Sequence, residues 1–304
     1  MRPEGWTAAD LTDQSGRQVL VTGTTVGSLG HHTALELARH GARVVLAGRS
    51  PDRLTETVEA ITREVPDADL RTLRIDLTSL TSVRRAADEA VELGPVDVLV
   101  NNAGVMAPRR RRVTDDGFDL QMATNHLGPF LLTGLLLPQL ADSQDGRVVT
   151  VSSMLHLGAR RAPATADDLR ASARPWPGYF ASKLANLLFT YALDRRLRAT
   201  GQPVRALAAH PGFASTGLIR NGPAMSVADA FGRAVGQPAS AGAWPTLMAA
   251  TADLPGGTFC GPSKQAGMRG PAAVVESSRL SHDTAAQERL WALSEEAVGL
   301  AYPG

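Results

Sequence analysis

A rhythm of short apolar runs and longer amphipathic ones constrains this chain more than any single residue. RQVLVTG, ARVVLAG, LRTLRID, VDVLVNN, RVVTVSS and VRALAAH follow one another at wide intervals. They are short, rich in valine, leucine and alanine, and read as strands buried on both faces. The segments between them, about 30–40, 51–64, 79–93, 116–140 and 177–199, carry helical periodicity. Strand–helix alternation favours parallel strands joined by right-handed crossovers, hence an α/β fold: a doubly wound parallel sheet with helices on both faces. No linker or internal repeat divides the 304 residues, so a single domain over 1–304 is expected.

The bulk numbers mostly exclude. A net charge of +1 gives no electrostatic case for nucleic acid or an anionic membrane. The local run PRRRR (108–112) reads as a solvated loop. The lone cysteine, Cys260, permits no internal disulfide, and it reads as inert packing. No His, Cys or carboxylate set has metal-ligand spacing. The most apolar run, GPFLLTGLLLPQL, is about half a membrane span, and the N-terminal stretch has no signal-peptide pattern. A cytoplasmic protein without a membrane span is expected.

The first strand runs into TGTTVGSLG, with glycines at 23, 27 and 30. A helix starting directly after a strand offers free N–H groups and a positive dipole end to a pyrophosphate, and glycines let the backbone approach it. This is the Rossmann-type arrangement, with one irregularity: Leu29 stands where a glycine is expected. Gly30, Ala34, Ala38 and Gly41 recur at helical spacing, so Gly30 should face the sheet. The close-approach position then falls on Gly27 or Ser28. Two irregular stretches, 156–178 and 217–238, follow C-terminal strand ends, where open α/β sheets bind ligands. They are read as a substrate wall and a lid.

Further motifs arrive in order: NNAG (101–104), NHLG (125–128), VSS (151–153) and YFASK (179–183). With TGTTVGSLG they resemble the short-chain dehydrogenase/reductase family along essentially the whole chain. DQSGR, DLTSLTSV, NNAGVMAP, SKLANLLF, AAHPG and LWALSEEAVGLAYP resemble its retinol-dehydrogenase-like branch. Tyr179 and Lys183 are four residues apart and so share a helical face. An ammonium beside a phenol favours the phenolate, which would bring an acid–base group toward neutral pH. Ser153 and its neighbour Ser152 both could polarise a carbonyl oxygen; the resemblance assigns that role to Ser153. It also implies that Asn125 holds a water in the proton path and that Lys183 grips the nicotinamide ribose. His156 and His210 lie next to motifs and read as structural.

The second strand ends VVLAGRS. Gly48 stands where a carboxylate would select a 2′-hydroxyl, and Arg49 follows with a guanidinium suited to a 2′-phosphate. NADP(H) is therefore expected over NAD(H). The resemblance adds Asp76 and Leu77 at the adenine, Asn102, Ala103 and Gly104 along the cofactor, and Pro211, Gly212 and Thr216 near its carboxamide. It implies hydride transfer between a ketone or aldehyde and an alcohol, on a small apolar substrate, and it is compatible with a homo-oligomer. The rival reading is a cofactor-binding scaffold with a non-redox or partner-binding role, motivated by the irregular glycine loop.

Overall fold

The computed structural model describes residues 5–170, 174–215 and 236–302. Its centre is an eight-stranded sheet. The strands are β1 (Gln18–Thr22), β2 (Arg43–Gly48), β3 (Leu70–Arg74), β4 (Val98–Asn101), β5 (Arg147–Val151), β6 (Arg205–Ala209), β9 (Phe259–Lys264) and β10 (Arg269–Val274). The order across the sheet is β10-β9-β6-β5-β4-β1-β2-β3. All neighbours are parallel except β9 and β10. A short pair, β7 (Ala214–Ser215) and β8 (Gln237–Pro238), stands apart from it. The expected doubly wound sheet is present.

Side chains alternate across a strand, and here the alternation divides the interior in two. Leu20, Val45, Leu99 and Val148 face one layer with Leu73, Phe130 and Leu188. Val19, Val21, Val44, Leu46, Val98, Val100, Val149 and Leu207 face the other, with Leu37, Ile61 and Leu247. Both faces of β1, β4 and β5 are therefore sealed, as their continuous apolar runs require. β3 departs from the expectation. It is one of the two edge strands, and Arg71, Thr72 and Arg74 are exposed.

The helices are α1 (Leu29–Arg39), α2 (Pro51–Glu64), α3 (Leu80–Glu92), α4 (Leu120–Met122), α5 (Gly128–Asp142), α6 (Ala166–Arg170) and α7 (Pro175–Ala199). Between α4 and α5 the residues Ala123–Leu127 wind as a π-turn. The segment that reads as one helix from 116 thus begins at 120 and is locally overfilled by one residue. Strands β9 and β10, the buried helix Trp244–Thr251 and the C-terminal helix Thr284–Val298 complete the fold. Tyr302 closes it: the phenol donates to the Phe130 carbonyl at 2.6 Å and the ring packs with Phe130 and Trp291. Gly134 makes room, because a Cβ there would stand 2.7 Å from both Leu300 and Tyr302. Cys260 is fully buried and burial pushes its thiol up to about 12, which suits inert packing. Among the described residues no helix is long and apolar enough to cross a membrane.

Candidate active site

The C-terminal ends of β1, β4 and β5 lie side by side, and the loops leaving β1 and β4 are latched together. The Thr22 hydroxyl donates to the Val100 carbonyl at 3.2 Å and accepts from the N–H groups of Asn102 and Ala103, both at 3.0 Å. The Asn102 amide returns the contact, donating to the carbonyls of Thr22 (2.7 Å) and Gly23 (3.2 Å). Thr22 was not among the residues singled out by sequence. Its partners lie about eighty positions away, and no local pattern reveals them.

This latch explains the glycine spacing. Gly23 and Gly27 both sit at positive φ, +76° and +77°. A Cβ on Gly30 would stand 2.5 Å from both the Asn102 amide nitrogen and the Gly23 carbonyl oxygen, so this glycine faces the sheet as expected. Leu29 is turned the other way, its side chain against Gly242. Gly27 and Ser28 differ in their surroundings. Ser28 is the N-cap of α1: its hydroxyl accepts from His31 N–H and donates to the Gly23 carbonyl, both at 3.1 Å. Gly27 has no heavy atom within 4 Å of its would-be Cβ. The loop therefore ends in an open backbone approach at a helix N-terminus, and these residues fit a pyrophosphate.

Arg49 is exposed just beyond β2. A Cβ at Gly48 would meet the Leu54 side chain at 3.2 Å, a tight place for a carboxylate. Asp76 folds its carboxylate back onto Thr78 N–H and hydroxyl, at 3.0 and 2.7 Å. The Leu77 side chain is buried in the core, so its backbone is what it can offer a ligand. Gly212 has φ +64°, and the Pro211 carbonyl accepts from the Gln237 amide at 2.9 Å. Thr216 and most of the expected lid, 216–235, lie outside the described residues. Arg109 to Arg112 are exposed, as a solvated loop would be.

The second cluster is built on α7. Tyr179 and Lys183 are both buried, one turn apart, with the ammonium 5.9 Å from the phenol ring centroid. Ser153 stands beside the Tyr179 hydroxyl and favours its ionised form. Ser152 points elsewhere, its hydroxyl donating to the Lys183 backbone carbonyl at 2.8 Å. Lys183 Nζ donates to the Val151 carbonyl at 2.9 Å. Burial pushes Lys183 down to about 8 and pushes Tyr179 upward. Desolvation is the main influence on the phenol, with Ser153 acting against it.

Asn125 lies in the π-turn. Its amide oxygen accepts from Val105 N–H at 2.8 Å, and its nitrogen donates to the Val105 carbonyl (3.0 Å) and to the Ser182 hydroxyl (2.9 Å). Its side chain ties the loop after β4 to α7. A Cβ on Gly104 would stand 3.2 Å from Asn125 Oδ1 and 3.4 Å from Lys183 Nζ. Met154 and His156, just after Ser153, help line a cavity of about 660 Å³ that also meets His210, Phe259, Lys264 and Glu276. Among the described residues no cluster of His, Cys, Asp or Glu forms a metal site.

The match to a short chain dehydrogenase family model spans residues 17–225. Retinol dehydrogenase 13 of Homo sapiens is 37% identical over 95% of this chain and 86% of its own length. Polyprenol dehydrogenase of Danio rerio is 36% identical over 96% and 89%. A crystal structure of an uncharacterised Mycobacterium paratuberculosis protein superposes with a TM-score of 0.80 at 43% identity, covering 99% of this chain and all of that one.

Proposed function

The chain belongs to the short-chain dehydrogenase family, on its retinol-dehydrogenase-like branch, and from that premise we propose that it is an NADP(H)-dependent oxidoreductase interconverting a ketone or aldehyde with an alcohol. One observation carries the reading. A buried phenol and a buried lysine, one helical turn apart, stand beside Ser153 and across from the narrow Gly104 loop.

A bound nicotinamide supplies or takes the hydride. The protein's residues do the rest. Gly27 and the α1 N-terminus hold the pyrophosphate, with Gly23 and Gly30 keeping the turn tight. Arg49 receives the 2′-phosphate, with Asp76 and Leu77 at the adenine. Asn102, Ala103, Gly104, Pro211 and Gly212 would line the remainder. The Ser153 hydroxyl donates to the carbonyl oxygen and polarises it. Tyr179, protonated at neutral pH because burial raises it, gives that oxygen its proton in reduction and takes it back in oxidation. Lys183 grips the ribose hydroxyls and keeps a positive charge near the phenol. Asn125 holds the loop after β4 in register with α7.

A substrate with an apolar body suits Met154 and Phe259 in the adjoining cavity. Relatives named for retinol and polyprenol, both alcohols of that kind, support it. A structure from Beutenbergia cavernae, 25% identical and described as an NAD(P)-dependent gluconate 5-dehydrogenase, holds NADP at low occupancy and supports the cofactor. The test is NADPH fluorescence titration followed by turnover on a panel of aldehydes, ketones and alcohols. Tyr179→Phe should lower turnover roughly 10²–10⁴-fold while NADPH binding is kept. Retained turnover in that variant, or no binding of either coenzyme by the native protein, overturns the reading.

A further inference from the structure

The sheet's hold on the chain ends one residue short of Ser153. The last ladder bond is from Ser152 N–H to the Ala209 carbonyl, at 2.7 Å. Ser153 then opens the turn Met154–Gly158 in an extended conformation, with φ −154° and ψ 149°. Its hydroxyl accepts from Leu155 N–H at 3.2 Å, a local contact that moves with the turn itself. Its carbonyl accepts from His156 N–H at 3.0 Å, again within the turn, so a tie between the turn and the rest of the fold is needed to fix the direction of that hydroxyl.

His156 supplies it. Its Nε2 accepts from the Ser278 backbone N–H at 3.0 Å, so that nitrogen carries no proton. The proton is therefore on Nδ1, which donates to the Ser153 carbonyl at 2.7 Å. The tautomer follows from the backbone donor, which cannot reverse its role. The ring is buried, and it packs edge-on against Phe259 at 5.8 Å and 84°.

Ser278 is itself anchored. Its neighbour Ser277 shares hydrogen bonds with the Tyr191 hydroxyl (2.7 Å), Ser281 (2.7 Å) and His282 Nε2 (2.9 Å). The Tyr191 ring stacks on His282 at 4.7 Å. Tyr191 belongs to α7, the helix that carries Tyr179 and Lys183. A rigid path thus runs from α7 through the 277–282 segment and the His156 ring to the backbone of Ser153.

We propose that His156 is a positioning residue: its ring, bridging Ser278 N–H and the Ser153 carbonyl, holds the Ser153 hydroxyl in line with Tyr179. The proposal rests on the reaction assigned above to Ser153 and Tyr179. It acts through Ser153 and requires no contact between His156 and the reacting atoms.

Three variants separate the two ends of the bridge. The amide nitrogen of an asparagine falls near the Nδ1 position and restores the donor to Ser153. The terminal amide of a glutamine falls near Nε2 and restores only the Ser278 contact. His156→Phe and His156→Gln should lower kcat roughly ten- to hundredfold, as a misdirected catalytic group does. KM and the NADPH Kd should stay near native. His156→Asn keeps the Ser153 donor but loses the Ser278 tie, so it should lower kcat to a similar extent, with KM and the NADPH Kd again near native, a split that a packing role would not produce. Native kcat in the asparagine, glutamine or phenylalanine variant would overturn the proposal.

The tautomer is read independently of turnover. Nitrogen NMR of the native protein at neutral pH should show the His156 proton on Nδ1. A proton on Nε2 refutes the bridge even if every variant folds poorly. Should the native protein turn over no carbonyl or alcohol, the reaction reading falls by itself, and the bridge still stands or falls by this spectrum.

Discussion

Tyr179 holds its proton at neutral pH because burial disfavours the phenolate. This sets a direction of pH dependence. Reduction needs the protonated phenol and oxidation the ionised one. In pH–rate profiles, alcohol oxidation should therefore climb as pH rises toward the phenol's raised pKa, while carbonyl reduction declines. Oxidation that is fastest in acid would contradict this assignment. At Lys183, whose pKa lies near 8, replacement by methionine keeps the apolar stem and removes the charge. Turnover should fall roughly 10²-fold or more, with weaker NADPH binding measured by fluorescence. Sequence spacing brought Tyr179 and Lys183 together correctly. It left Ser152 and Ser153 as rivals, since adjacent residues differ only in which way each points. It missed Thr22 and Ser182, because their partners come from other strands and helices.

The start of α1 shows what an element adds to a motif. Ser28 closes the helix end and leaves Gly27 facing open space, while Gly30 is pressed onto Asn102 and Gly23. Gly27→Ala should fold at a cost of about 1–2 kcal/mol from its left-handed backbone, and should bind NADPH less well. Gly30→Ala must displace backbone, since its Cβ would stand 2.5 Å from a carbonyl oxygen, and about 1–3 kcal/mol of overpacking is expected. Thermal melts with and without NADPH check both. Equal melting temperatures for Gly30→Ala and the native protein would refute the packing argument. The π-turn at Ala123–Leu127 was illegible beforehand. NHLG scans as ordinary helix, and the extra residue per turn arises from the contacts of Asn125 with Val105 and Ser182.

The whole molecule couples its fold to acid through buried histidines. His126, among Phe130 and Phe189, and His210, against Phe259, are both pushed down to about 3 by burial. In the unfolded chain each titrates near 6.5. Above that value both states are neutral and the pair contributes no slope. Below it the unfolded chain gains protons the native state refuses. Stability should thus fall by about 1.4 kcal/mol per pH unit per histidine until about pH 3. Denaturant titrations across that range should show the slope, and His126→Phe should flatten it by one histidine's share. An unchanged slope in a folded His126→Phe would exclude that residue as a source. The sequence by itself determined the doubly wound sheet, the helix that carries Tyr179 and Lys183, and the sheet-facing role of Gly30. Each follows from periodicity, and periodicity is a local property of the chain. Only the tertiary structure decided that Gly27 is the open position, that Ser152 turns away to the Lys183 carbonyl, that β3 lies at an edge and that burial raises Tyr179. These depend on which distant residues arrive beside them, and on how much water the assembled fold removes.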